Sequence, residues 1–280
     1  MVNPLEWQER LRNAGYLADE HFSLMIGLAV AMQRPLLLEG PAGSGKTFLA
    51  EALAAATRRQ LVRLSCYEGI DAAQALYDWN YHKQLTALAR QADVDPFGPG
   101  FLLERPLMHA LTIAHGAVLL IDEVDRADEG FEALLLEFLS GYQITVPERD
   151  TVRAVVPPIT VLTSNRQRSL SDALRRRCLY AYVDWPAPAR EREIVRLYVP
   201  EMPPDLVDAL VTGVGCLRQF GLLKPPGLAE TVDWARAQRV MGFPGWQREW
   251  VQATLGCVIK DMMDFATVAE RLDDLMTGRS

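Results

Sequence analysis

The run Gly40-Pro41-Ala42-Gly43-Ser44-Gly45-Lys46-Thr47 places glycines where a chain must turn tightly and ends on a lysine and a hydroxyl. It fits the pattern G-x-x-x-x-G-K-[ST] at every required position. Small residues let successive backbone N–H groups point inward around a phosphate, and a helix that starts where the run ends adds its positive N-terminus. Lys46 then reaches the β- and γ-phosphates of a nucleotide, and the Thr47 hydroxyl is a ligand for Mg²⁺. All eight residues are candidate nucleotide contacts. A glycine-rich turn that matched by accident would have no reason to lie between an apolar strand and a helix, as this one does.

The apolar run Ala117-Val118-Leu119-Leu120-Ile121 ends in Asp122-Glu123. A carboxylate at the end of a buried strand, beside a phosphate loop, is placed to hold Mg²⁺ through water, which is the expectation for Asp122. A second carboxylate, Glu123, can take a proton from an attacking water. Neighbouring strand residues face opposite ways, so the pair is expected to divide these tasks between two faces. Asp125 and Asp128 each read as a solvated loop charge or a helix cap, and the cap is the better reading for Asp128 ahead of Glu129-Gly130-Phe131. A third apolar run, Ile159 to Thr163, finishes in Ser164-Asn165-Arg166. The Asn165 amide has both a donor and an acceptor for a γ-phosphate or an attacking water, although a turn-forming Asn is the alternative. Arg175-Arg176-Arg177 close a short helix, where they either complement its dipole or supply charge to phosphoryl transfer as an arginine finger. A finger so far from its own phosphate loop would serve a neighbouring subunit, which implies head-to-tail assembly.

Bringing these groups together takes alternating strands and helices. Residues 16 to 33 have helical spacing and stop before Pro35. Pro35 to Gly40 reads as a strand buried on both faces, followed by a helix over 45–58 and a strand from Leu61 to Ser65. Residues 66–101 read as irregular, with a helix near 81–92 and a turn-rich tract at 95–100. A helix near 105–115 leads into the strand before Asp122. A helix over 129–140 follows, then a hairpin pairing Ile144–Pro147 with Val152–Val156. The strand before Asn165, a helix near 170–177 and a strand from Leu179 to Val183 complete the alternation. This pattern predicts an α/β fold with a mostly parallel sheet between helices. From about 190 to 277 the period is helical throughout. The expected organisation is therefore an α/β nucleotide-binding domain with N-terminal helices over 1–188 and a small all-helical lid domain over 189–280.

In 280 residues, 49% are apolar and 23% charged, an ordinary globular balance that excludes disorder and low-complexity architectures. The net charge of −7 carries no basic footprint for nucleic acid or an anionic membrane. Cys66, Cys178, Cys216 and Cys257 are scattered with no CxxC, and read as reduced, mostly buried thiols of a cytoplasmic protein. The first residues are amphipathic and acidic, unlike a secretory leader, and the apolar stretch 24–32 is too short to span a bilayer. His21, His82, His109 and His115 share no metal-ligand spacing. Trp246 and Trp250, four apart on an expected helix, read as packing of the lid. Tyr77, Trp79 and Tyr81, within the long irregular stretch, are candidates for gripping a client.

In order, the loop at 40–47 (Walker A), Leu119–Glu123 (Walker B), Asn165 (sensor 1), the arginines at 175–177 and a helical lid resemble an AAA+ ATPase. Asp122-Glu123-Val124-Asp125-Arg126-Ala127 is similar to the MoxR group. Cys66-Tyr67-Glu68-Gly69, Leu170 to Cys178 and Lys224-Pro225-Pro226-Gly227 are most similar to its CoxD-like branch. The resemblance implies a P-loop core with ATP and Mg²⁺ as cofactors, assembled as a ring, usually a hexamer. It implies a partner with a von Willebrand factor A domain and a client metalloenzyme, a carbon monoxide dehydrogenase or related molybdenum hydroxylase. It also makes Arg177 the best match to the finger, with Arg176 close behind. Where many MoxR proteins carry a sensor 2 arginine, this chain has Leu228, and Arg236 is an alternative. Two rival readings remain on the same core: a DNA-associated motor or loader, against which the acidic balance weighs, and a slow nucleotide-dependent switch.

Overall fold

Asn3 caps the first helix through its side chain, which accepts from the Leu5 N–H (3.0 Å), and Pro4 occupies the first helical position, where no N–H is needed. The computed structural model describes residues 2–90, 95–147 and 150–279. The chain divides into two compact units, Met1–Gly40 with Lys46–Tyr182 and Pro41–Gly45 with Val183–Ser280.

The first unit begins with α1 (Pro4–Asn13) and α2 (Glu20–Ala31). The helical spacing read over 16–33 is shorter in fact: Asp19 caps α2 by accepting from the Phe22 N–H at 2.7 Å, leaving 16–18 outside. Then come β1 (Leu36–Glu39), α3 (Lys46–Thr57) and β2 (Gln60–Ser65). The stretch expected to be irregular holds α4 (Ala72–Ala75), β3 (Tyr77–Trp79), α5 (Tyr81–Arg90) and β4 (Leu102–Glu104). β3 and β4 pair antiparallel, a ribbon too short for its alternation to be read from sequence. Residues 91 and 92 of the helix expected there lie outside the described residues. Trp79 is buried between Tyr77 and Phe97, with ring centroids at 6.2 and 5.3 Å, so it packs the ribbon and is not available to grip a client; Tyr81 is exposed.

Next are α6 (Pro106–Thr112), β5 (Ala117–Asp122), α7 (Glu129–Gly141), β6 (Gln143–Thr145) and β7 (Thr151–Arg153). β6 and β7 form the expected hairpin, with Ile144 opposite Val152. The unit ends with β8 (Ile159–Ser164), α8 (Asp172–Arg177) and β9 (Leu179–Tyr182). Five strands make one parallel sheet in the order β2-β5-β8-β1-β9. Leu36, Leu37, Leu38 and the whole run from Ala117 to Ile121 are buried, as strands covered on both faces must be. The sheet order puts β8 between β1 and β5. The carboxyl ends of all three therefore meet at one edge, where ligands bind in open α/β sheets.

The second unit is helical apart from its loop: α9 (Pro188–Tyr198), α10 (Pro204–Gln219), α11 (Leu228–Val240), α12 (Arg248–Thr254), α13 (Met262–Glu270) and α14 (Leu272–Thr277). Its core holds Val207, Leu210, Val214, Leu217, Trp234 and Val251 among others. Trp234 stacks on Trp250 (5.7 Å between centroids) and meets Trp246 edge-on (5.2 Å), so both tryptophans are packing residues. Trp246 precedes α12 rather than lying on it, and reaches the cluster from a loop. No helix among the described residues is long and apolar enough to cross a membrane.

Candidate active site

In the first unit β1 delivers Gly40, and α3 begins at Lys46 and Thr47. The Lys46 ammonium is buried and donates to the Gly40 carbonyl (2.9 Å). Burial pulls its pKa down, while Asp125, Asp122 and Glu123 push it back up. The Thr47 hydroxyl donates to Asp122 Oδ1 (3.0 Å), although the two residues are 75 positions apart. A hydroxyl and a carboxylate facing each other at a half-buried edge are the hard oxygen donors that Mg²⁺ takes alongside phosphate oxygens, so these residues fit that ion. Among the described residues no cluster of three or more His, Cys, Asp or Glu is arranged to hold a metal by itself.

Glu123 is not on the strand. Its backbone is left-handed (φ 54°), which turns it off the end of β5, so the expected division between two faces of a strand does not apply. Its carboxylate accepts from the Asn165 side-chain amide (3.3 Å) and pairs with Arg126 (3.0 Å). The structure thus brings Lys46, Thr47, Asp122, Glu123 and Asn165 together. Arg166, the next residue after Asn165, is also left-handed (φ 61°); non-glycine residues in that region concentrate at functional sites.

Two residues escape the sequence reading. Thr163 Oγ1 donates to Asp122 Oδ1 (2.6 Å) and accepts from the Glu123 N–H (2.9 Å). Its signal was its position at the end of β8, two residues before Asn165. Asp125 is neither a solvated charge nor a cap. It is 3% exposed and accepts from the backbone N–H groups of Asn165 (3.2 Å) and Gln167 (2.8 Å). Asp128 is the cap expected for α7, accepting from the Phe131 N–H (2.8 Å).

The three arginines differ. Arg175 pairs with buried Glu39 (2.7 Å), which also accepts from the Tyr180 hydroxyl (3.1 Å). Arg176 and Arg177 are exposed, and their carbonyls accept from the Arg34 side chain.

In the second unit the loop residues Pro41 to Gly45 lie with the helical segment. Gly43 and Gly45 have φ of 71° and 91°, conformations open to glycine. The Gly43 carbonyl accepts from the Leu228 N–H (2.7 Å), and the Ala42 carbonyl from the Trp185 indole N–H (3.1 Å). Arg218 clasps buried Glu191 through two hydrogen bonds (2.7 and 2.8 Å) and donates to the Pro226 carbonyl (2.8 Å), steadying the start of α11. Arg236, the alternative for sensor 2, pairs with Asp233 (3.2 Å) and lies over Tyr198.

Residues 35–178, just over half of the chain, match the family described as the AAA domain, dynein-related subfamily. Protein NorQ of Paracoccus denitrificans is 26% identical over 174 residues, 60% of this chain and 58% of NorQ. The uncharacterized protein YojN of Bacillus subtilis is 31% identical over 123 residues, 44% of this chain and 36% of YojN. The chain spans less than two thirds of the length of these relatives. Two structures of mutant RuvB from Thermotoga maritima share the fold, each with a TM-score of 0.51. They are 16% and 19% identical, cover 100% and 96% of this chain, and are matched over 74% and 71% of their own length.

Proposed function

The chain belongs to the AAA domain family, dynein-related subfamily, in keeping with the MoxR-type AAA+ resemblance of its motifs, and from that premise we propose that it hydrolyses MgATP to remodel a client protein. The contact of Thr47 with Asp122, with Glu123 and Asn165 meeting beside it, carries the reading. Gly40 to Thr47 cradle the phosphates with backbone N–H groups, and Lys46 donates to their β- and γ-oxygens. Thr47 and, through water, Asp122 would hold Mg²⁺. When bound, that ion would offset the negative charge of the phosphates. Glu123 accepts the proton of the attacking water, and Asn165 orients that carboxylate and senses the γ-phosphate. Arg177, or Arg176 beside it, supplies positive charge from a neighbouring copy.

The finer reading follows the resemblance. The protein works in the cytoplasm as a ring, a hexamer, with a von Willebrand factor A domain partner. Its client is a metalloenzyme of the carbon monoxide dehydrogenase or molybdenum hydroxylase type, as the similarity of Cys66–Gly69, Leu170–Cys178 and Lys224–Gly227 to the CoxD-like branch supports.

Phosphate release from MgATP tests the reaction. Native protein is expected to turn over, Glu123→Gln to keep binding a fluorescent ATP analogue while losing on the order of a hundredfold or more in rate, and Lys46→Ala to lose binding. Turnover by Glu123→Gln at the native rate would contradict the assignment.

A further inference from the structure

We propose that Thr163 is a positioning residue that sets both acids of the site at once; this rests on the reading of Asp122 and Glu123 as the acids of MgATP hydrolysis. A threonine hydroxyl has one proton to give and lone pairs to accept with. Here the proton goes to Asp122 Oδ1 (2.6 Å), and a lone pair takes the Glu123 N–H (2.9 Å). Thr163 is 2% exposed, so water does not substitute for either bond.

Each bond answers a local need. Asp122 Oδ1 already accepts from Thr47 at 3.0 Å, and a second hydroxyl on the same oxygen locks the carboxylate in one orientation. Glu123 has left the strand through a left-handed backbone, so its N–H needs a partner outside the strand ladder, and Thr163 is that partner. The side chain reaches both because β8 runs beside β5 with Leu162 opposite Ile121. Asn165, just past the end of β8, contacts the Glu123 carboxylate at 3.3 Å. β8 and the residue that follows it therefore hold Glu123 at both its backbone and its carboxylate.

Thr163→Val keeps the shape and removes the hydroxyl, and Thr163→Ser restores it. The ADP-bound protein is titrated with Mn²⁺, the paramagnetic stand-in for Mg²⁺, and free Mn²⁺ is read by electron paramagnetic resonance. MgATP turnover is measured beside it. The Val variant is expected to bind Mn²⁺ and to turn over roughly tenfold less well, with Ser close to native in both. If Thr163→Val does not fold, judged by its thermal transition, Thr163→Ala takes its place; failure of both to fold would make the hydroxyl a requirement of folding and overturn the proposal. Native Mn²⁺ affinity in the Val variant of a protein that hydrolyses ATP overturns this proposal alone. A native protein that neither binds Mn²⁺–ADP nor hydrolyses ATP overturns the functional reading and this proposal with it.

Discussion

Asp125 is the buried carboxylate on which the polar end of β8 hangs, because it accepts from the N–H groups of both Asn165 and Gln167. Its Oδ2 takes both N–H groups, at 3.2 and 2.8 Å, and Oδ1 is a further acceptor for Asn165 at 3.3 Å. Asp125→Ala removes these acceptors and is therefore expected to cost about 1–3 kcal/mol of stability, read as a lower urea midpoint. An unchanged midpoint would mean the donors find other partners. Lys46, Thr47, Asp122 and Asn165 were legible in the sequence because their chemistry restricts residue type and each ends or follows a mostly apolar strand. Asp125 and Thr163 were not, since a loop aspartate and a strand threonine look the same whether they hold a site or face solvent. The left-handed turn at Glu123 was equally hidden, because nothing in Asp-Glu-Val specifies it.

At the scale of elements, α8 is tied to the strand before the phosphate loop by one arginine and presents two others to solvent. Arg175→Ala leaves the Glu39 carboxylate, 2% exposed, with the Tyr180 hydroxyl as its remaining side-chain partner. A loss of about 2–3 kcal/mol is expected in denaturant unfolding, allowing for the partial exposure of Arg175. Arg176→Ala and Arg177→Ala should each change stability by less than about 0.5 kcal/mol and act on turnover instead. Equal destabilisation by all three would remove the distinction between anchor and finger. In the second unit, the start of α11 touches the loop closely enough to require glycine: a Cβ on Gly227 would lie 2.6 Å from Gly43 Cα. Gly227→Ala is expected to lower stability by about 1–3 kcal/mol, seen as a lower melting temperature. The alternation of strands and helices was plain in the sequence, but their order across the sheet was not. Apolar runs announce buried strands, whereas the insertion of β8 between β1 and β5 follows from tertiary packing alone. The β3–β4 ribbon was missed for a simpler reason, since three-residue strands are too short to carry a period.

Across the whole molecule, burial is the leading influence on the thiols. It pushes Cys66 and Cys178 up to about 12 from 9.0, with Asp122 adding to the effect at Cys66. Above pH 9 the unfolded chain releases these protons while the folded chain keeps them. The stability they confer is complete below that pH and falls as pH rises toward 12, by about 1.4 kcal/mol per pH unit for each thiol. Urea midpoints should therefore decline from pH 9 to 10, and decline less steeply in Cys178→Ala. An identical slope in the two proteins would place Cys178 in water.

Turnover by an assembly, with each copy completing its neighbour's site through Arg177, is the claim that joins loop, acids and arginines into one mechanism. Light scattering on Glu123→Gln, with and without MgATP, tests it most directly, because binding without hydrolysis holds the assembled state. A mass of several subunits is expected with MgATP, and a smaller one without it. A protein that stays monomeric with ATP bound would contradict the claim.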